Sequence, residues 1–259
     1  MSFLYFDDSR HQNAGFDLGA FVYCKNDPSH EVAGLLRESG LVPFKDEYKS
    51  GRSIRRYPEY RSIRAGLFSF LREARIAVVV TPTAHPYVLG QEALILLQKV
   101  LAHPLVRGGD KPSVYFDEGL FPSRKAAEQL AARSELDQLC QIEFEQDSVA
   151  CPGIQLADLV AHTCSMMLVE QLGHKQKVLM AGPESGYPLG TEVTLGYEMW
   201  ARLRSQFLGL LEVRDEHEDY TELALDVSSH GLHITRACSN KLRIAAEERF
   251  TEAYIGCIH

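Results

Sequence analysis

The chain has 259 residues, 45% of them hydrophobic, and a formal net charge of −8, so it can bury a sizeable core and is not a largely disordered protein. No apolar run approaches the roughly 20 residues that cross a bilayer, and the N-terminus reads as a strand instead of a secretion signal, so we expect no membrane contact and a cytoplasmic location. The six cysteines form no CxxC pair, which argues against a disulfide framework or a zinc site.

The N-terminal part begins with two predicted strands. FLYFDDSR at 3–10 predicts a strand that ends on two adjacent carboxylates, and alternating apolar residues at 16–22 predict a second strand that pairs with it as a hairpin. A short helix follows at 30–40, then a third strand within VPFKDEYKS at 42–50. A longer helix is predicted at 58–75, since its apolar residues recur at helical spacing.

From residue 76 onward, strands and helices alternate. Strands at 76–83, 113–118 and 140–146 alternate with helices at 87–105, 122–136 and 153–172. This alternation after an opening hairpin predicts an α/β fold, a mixed sheet with helices on both faces. A Gly- and Pro-rich stretch at 181–192 separates a core of residues 1–180 from a C-terminal α+β extension, residues 190–259, packed on it. The extension is predicted to contain a hairpin across 221–238 and a closing helix at 239–254.

Two predicted strands end on paired acids, Asp7 with Asp8 and Asp117 with Glu118. Neighbouring residues on a strand point to opposite faces, so one acid of each pair is expected to enter a shared site. Ligands of open α/β sheets bind beyond the carboxyl ends of strands, where both pairs lie. The alternative interpretation is that these acids only begin turns.

A third group of polar residues lies on the predicted helix after Pro152 and Gly153. Gln155, Asp158 and His162 recur at spacings of three and four, which brings them to one helix face. A carboxylate buried in so apolar a helix requires a charged partner, hydrogen bonds or a metal. Alternatively, Asp158 is partly exposed near the positive end of the helix dipole. His162 is either a proton shuttle or a core histidine with a satisfied hydrogen bond.

Residues 45–75 concentrate positive charge, with nine Lys and Arg against four Asp and Glu. In a chain that is acidic overall, this segregation favours one face that binds a polyanion, and Arg52, Arg55 and Arg56 are the predicted contacts with nucleic-acid phosphates. The alternative is an ordinary solvated face.

Three carboxylates from two strand ends and a late helix resemble the active site of the RNase H-like superfamily. That resemblance implies an RNase H-like mixed sheet and a site that holds two Mg²⁺ or Mn²⁺ ions for phosphodiester hydrolysis. More narrowly, FDDS, EYK, FDE and GIQLADLVA together are similar to the uncharacterised family called DUF3800, over about residues 3–170. DDSR replaces the usual DESG of that family, which leaves the first acid intact.

The resemblance implies a role for each matching residue. Asp7, Asp117, Glu118 and Asp158 would be metal ligands, the three aspartates would be catalytic together with Lys49, and Glu47, Gln155 and His162 would support them. No P-loop, HExxH or GxSxG motif favours another chemistry. We therefore expect a Mg²⁺- or Mn²⁺-dependent nuclease. The alternative is a non-catalytic RNase H-like binding or regulatory module of a defence or mobile-element system, and a protein partner or homo-oligomer is compatible with either.

Overall fold

The computed structural model describes residues 1–83, 87–174, 177–181, 187–217 and 220–258. Its strands are β1 Phe3–His11, β2 Phe16–Cys24, β3 Arg75–Pro82, β4 Ser113–Asp117, β5 Gln141–Gln146, β6 Val178–Met180, β7 Glu192–Thr194, β8 Leu210–His217, β9 Tyr220–Asp226, β10 Leu232–Ile234 and β11 Glu252–Ile258. Its α-helices are α1 Ser29–Glu38, α2 Tyr60–Leu71, α3 Val88–Ala102, α4 Pro104–Arg107, α5 Arg124–Arg133, α6 Leu136–Leu139, α7 Ile154–Gln171, α8 Leu195–Ala201 and α9 Asn240–Phe250.

Within these ranges the main sheet has six strands in the order β10-β3-β2-β1-β4-β5. β1 pairs antiparallel with β2 and parallel with β4, so the hairpin meets the parallel part of the sheet along β1. The predicted mixed α/β sheet is confirmed. β10 comes from the C-terminal segment and lies parallel to β3, so this segment adds a strand to the sheet.

Helices cover both faces of this sheet, as predicted. On one face, α7 packs across β1 and β2, together with apolar residues of α1, α2, α8 and α9. On the other face, α3 and α5 cover a second buried cluster. Strand alternation divides the core, because Tyr5 belongs to the α7 side and Phe6 to the α3 side. Among the described helices, none has the length and apolar character needed to traverse a lipid bilayer.

Two N-terminal predictions were wrong in detail. β1 does not stop at its acids but continues to His11, because the antiparallel pairing with β2 extends past the point where pairing with β4 ends. The predicted third strand at 42–50 is a loop. The backbone N–H groups of Tyr48 and Ser50 in this loop donate to side chains of α7 instead of to a neighbouring strand.

Two C-terminal predictions were also wrong. The hairpin expected across 221–238 does not form, because β9 pairs with β8 and β11 in a separate sheet while β10 joins the main sheet. The closing helix ends at Phe250 and the chain continues as β11, which pairs antiparallel with β9. Residues 182–186 of the Gly- and Pro-rich stretch lie outside the described residues. The strands on either side of this stretch, β6 and β7, pair antiparallel with each other. All six cysteines are free thiols.

Candidate carboxylate site

The site begins where β1 and β4 stop pairing. Their parallel register ends with Phe6 opposite Phe116, so Asp7 and Asp117 are the next residues on adjacent strands. Tyr5 and Tyr115 stack on the α7 side, with ring centroids 5.3 Å apart. The two aspartates follow two residues later and therefore face the same side. Asp7 is 5% exposed, and its Oδ1 accepts the backbone N–H of Asp8 at 2.6 Å.

Asp8 lies on the opposite face and does not join this site. Its Oδ2 accepts Arg10 Nε at 2.8 Å, and Arg10 also donates to the carbonyl oxygen of Gly119. The adjacent acids of β1 thus have different surroundings, as strand alternation predicts.

Asp158, on the first turns of α7, completes a group of three aspartates. Burial raises the pKa of Asp7 well above its ordinary value, and the negative charges of Asp117 and Asp158 raise it further. Burial also raises the pKa of Asp158, against the opposing effects of the Ser50 backbone N–H and Lys49. Buried carboxylates that repel one another retain protons to a higher pH, because the metal-free site cannot stabilise all of their negative charges at once.

Asp7 and Asp117 lie close enough for a hydrogen bond between their side chains once one of the two carboxyl groups carries a proton. Burial raises the pKa of Asp117 to about 6, although the bond with Asp7 and the positive charge of Lys49 act in the other direction. The pair therefore resembles other close carboxyl pairs that cannot both ionise freely.

Glu47 and Lys49 approach the aspartates from the loop before α2. Lys49 Nζ lies 3.2 Å from Glu47 Oε2 and donates to Ser148 Oγ at 3.3 Å, while Ser148 Oγ donates to Glu47 Oε2 at 2.5 Å. Burial lowers the pKa of Lys49, but the charges of Glu47, Asp7 and Asp117 outweigh burial and raise it. Lys49 is therefore the ammonium that partly balances the aspartates.

Side chains of α7 fix this loop by bonding to its backbone. Gln155 is 1% exposed; its Oε1 accepts the N–H of Tyr48 at 2.9 Å and its Nε2 donates to the Ser148 carbonyl at 3.0 Å. Asp158 Oδ2 accepts the N–H of Ser50 at 2.8 Å. Gln155 thus positions the loop, and both of its amide atoms have protein partners.

The remaining predicted residues lie around this centre. Glu118 is exposed beyond the end of β4, and its backbone N–H donates to the Asp117 carboxylate. Burial, with smaller effects of Arg64 and His11, lowers the pKa of His162 to about 4, so this ring is neutral near pH 7 and a weak base.

The three predicted nucleic-acid contacts are exposed on the loop that leads into α2. Arg52 donates to the hydroxyl of Tyr60 at 3.0 Å, and Tyr60 donates to the Glu47 carbonyl at 2.9 Å. This chain of bonds connects Arg52 to the site loop. Arg55 and Arg56 lie a few residues further along the same exposed segment.

Residues that sequence reasoning missed also shape the site. Arg64 of α2 donates to the Tyr48 hydroxyl at 2.8 Å and to the Ser50 carbonyl at 2.9 Å. Glu145 has a left-handed backbone (φ 55°) at a bulge in β5, and its Oε2 accepts the Gly119 N–H at 3.1 Å. No motif marks these residues, since each contact joins segments distant in sequence.

The donor set suits a hard divalent cation, because it offers carboxylate oxygens that are buried and short of positive charge. The arrangement is nevertheless not a ready metal site. In residues 1–83, 87–174, 177–181, 187–217 and 220–258, no group of three or more His, Cys, Asp or Glu side chains is positioned to hold a metal ion. To bind a cation, the side chains of Asp7, Asp117 and Asp158 would have to rotate toward it, and the ammonium of Lys49 would have to move away from the aspartates.

Comparisons with known proteins add no assignment: no model of a protein family matches the chain, and no curated protein matches it. The resemblance to DUF3800 therefore rests on the short motifs alone.

Proposed function

We propose that this chain is a Mg²⁺- or Mn²⁺-dependent nuclease with an RNase H-like fold of the DUF3800 kind. The observation that carries the proposal is the meeting of Asp7, Asp117 and Asp158, from β1, β4 and α7, on one face of the sheet with raised pKa values. Such carboxylates cost stability in the metal-free protein, and binding a divalent cation would relieve that cost.

In this proposal Asp7 and Asp117 are the inner ligands, and Asp158 completes the cation site while keeping its bond to the Ser50 N–H. Glu118, which is exposed beyond the end of β4, would become a further metal ligand once a bound substrate covers it. The bound metal would polarise the phosphate and activate water. Lys49, whose raised pKa keeps it charged, would stabilise negative charge that develops on the phosphate.

The substrate class follows from the charge beside the site. Arg52, Arg55 and Arg56 are exposed on the segment that continues from the Glu47–Ser50 loop, so a polyanion bound there would lie next to the aspartates. Nucleic acid has the required density of charge, and contacts to its phosphates need no particular base sequence.

A non-catalytic RNase H-like binding module is the second candidate. It is favoured by the salt bridge of Lys49 with Glu47 and by the absence, in the described part of the chain, of a side-chain group already arranged around a metal position. In such a module the ammonium of Lys49 would be the permanent counter-charge of the aspartates.

Cleavage assays with a matched pair of variants separate the two candidates. Asp7→Asn and Asp8→Asn each replace one carboxylate oxygen by an amide nitrogen, at two adjacent positions. Only Asp7 faces the carboxylate site. Labelled single- and double-stranded DNA and RNA would be incubated with Mn²⁺ or with EDTA. We expect Mn²⁺-dependent cleavage by wild type and Asp8→Asn, and a loss of at least about 100-fold in Asp7→Asn. Cleavage that survives equally in Asp7→Asn would refute the nuclease site, and binding without cleavage of any substrate would support the module.

A further inference from the structure

β8 forms one edge of the second sheet, whose order is β11-β9-β8 in the described residues. Its apolar side chains are exposed: Leu211 is 61% and Val213 is 63% accessible. Both lie on the sheet face that includes Leu225, the register partner of Leu211, and Ala253, the partner of Leu225 on β11. Leu225 packs against the core and Ala253 is buried. The apolar face therefore continues past the core and ends at an open strand edge. Residues 210–214 contain no proline or glycine that would prevent another strand from pairing there.

The other face of β8 carries opposite charges two residues apart. Arg214 bonds to Glu212 of its own strand and to Glu252 of β11, and all three side chains are substantially exposed. Glu212 and Arg214 flank Val213 symmetrically. A strand of this pattern is complementary to itself, because reversing its direction about Val213 exchanges the positions of the acid and the base.

We propose that β8 pairs antiparallel with β8 of a second copy of this chain, about a two-fold axis through Val213. Val213 then lies opposite Val213 of the partner subunit. Glu212 lies opposite Arg214 of the partner subunit, and the symmetric pair forms on the other side of the axis. The two three-stranded sheets become one six-stranded sheet in which the exposed Val213 side chains of the two copies are adjacent across the axis.

The charge pattern selects this register from its neighbours. If the axis passed through Glu212 or through Arg214 instead, that residue would lie opposite its own copy, and two like charges would face each other. The bonds that Arg214 makes within its own chain do not oppose dimer formation strongly, since ion pairs between exposed side chains contribute little. This pairing is independent of the proposed nuclease activity.

Charge exchange at two positions tests the register directly. Sedimentation velocity over a concentration series would compare wild type with Glu212→Arg, Arg214→Glu and the double variant. By symmetry, each single change places two like-charge pairs opposite one another, whereas the double change restores two opposite-charge pairs. We expect a wild-type dimer, dissociation constants raised about tenfold or more in each single variant, and recovery in the double variant.

Arg124→Glu and Glu128→Arg are the matched controls. They make the same charge changes in an exposed ion pair on α5, away from β8, and should leave the dimer intact. Thermal melts would verify that every variant is folded. A monomeric wild type at all concentrations, single variants that dimerise like wild type, or a double variant as weak as the singles would each overturn the proposal.

Discussion

Asp7 and Asp8 are adjacent in sequence and differ in environment because a strand alternates its side chains. Asp7 points toward α7 and is buried beside Asp117, while Asp8 forms an ion pair with Arg10. Sequence alone predicted that only one acid of each pair would enter the site, since the period of a strand is two. It could not predict the raised pKa of Asp7, which depends on the depth of burial and on charges from β4 and α7.

The pKa of Asp117 predicts how stability depends on pH. Its folded-state pKa of about 6 lies above the ordinary value of 3.8, so the stability linked to its protonation is fully present below that ordinary value. This stability is lost as pH rises through about 6. In EDTA, the unfolding free energy of wild type relative to Asp117→Asn should therefore fall by about 1–2 kcal/mol between about pH 4 and pH 7.

Urea unfolding of both proteins at matched pH values measures this difference. The comparison with Asp117→Asn cancels the titration of histidines elsewhere in the chain, to the extent that these act independently of Asp117. A constant difference would mean that Asp117 is an ordinary, well-solvated carboxylate, and a difference that grows with pH would mean that the folded protein favours its charged form; either result would contradict the prediction.

At the scale of elements, the loop at residues 42–50 shows where sequence patterns fail. VPFKDEYKS was predicted to contain a strand, yet it has no strand neighbour among the described residues, and its Pro, Lys, Asp and Glu residues are types that strands disfavour. Gln155 and Asp158 of α7 accept its N–H groups, and Arg64 of α2 donates to one of its carbonyls. The bonds from α7 join residues about a hundred positions apart, so local periodicity carries no trace of them. The spacing of Gln155 and Asp158 on one face of α7 was readable; what that face contacts was not.

Replacing Gln155 should loosen this loop. Gln155→Leu leaves the buried N–H of Tyr48 and the Ser148 carbonyl without partners, so we expect a loss of about 1–3 kcal/mol in unfolding free energy. Gln91→Leu, at an exposed position of α3, is the matched control and should change stability by less than about 0.5 kcal/mol. Chemical denaturation of both variants measures the effect; equal stability would show that Gln155 does not hold the loop.

The basic segment before α2 should govern salt-dependent binding. Replacing Arg55 and Arg56 by Gln is expected to weaken binding to duplex DNA regardless of sequence, and to reduce the salt slope by about 0.9 for each DNA phosphate that the variant no longer neutralises. Arg52→Gln is tested separately, because Arg52 also bonds to Tyr60. Fluorescence anisotropy over a salt series, with Arg37 and Arg133 replaced as exposed controls, measures both quantities. An unchanged slope in the Arg55 and Arg56 variant would assign these residues to ordinary surface.

At the scale of the whole molecule, the alternation of strands and helices from residue 76 to 172 was sufficient to predict a mixed α/β sheet. The C-terminal segment was not predictable in the same way. Residues 221–238 have the pattern of a hairpin because two apolar strands flank a turn, but β10 pairs with β3 in the main sheet, where Leu232 is buried in the core. Composition and turn signals describe each strand; they do not specify which sheet it joins.

The central claim is that Asp7, Asp117 and Asp158 together hold a divalent cation. Thermal melts of wild type and Asp158→Asn, each in EDTA and in Mn²⁺, test it most directly. Removing one of three crowded charges while keeping the shape of the side chain should leave the metal-free variant at least as stable as wild type. Mn²⁺ should then raise the melting temperature of wild type by mass action and that of the variant much less. A metal-free variant that is less stable than wild type, together with no Mn²⁺-dependent shift in wild type, would contradict the claim.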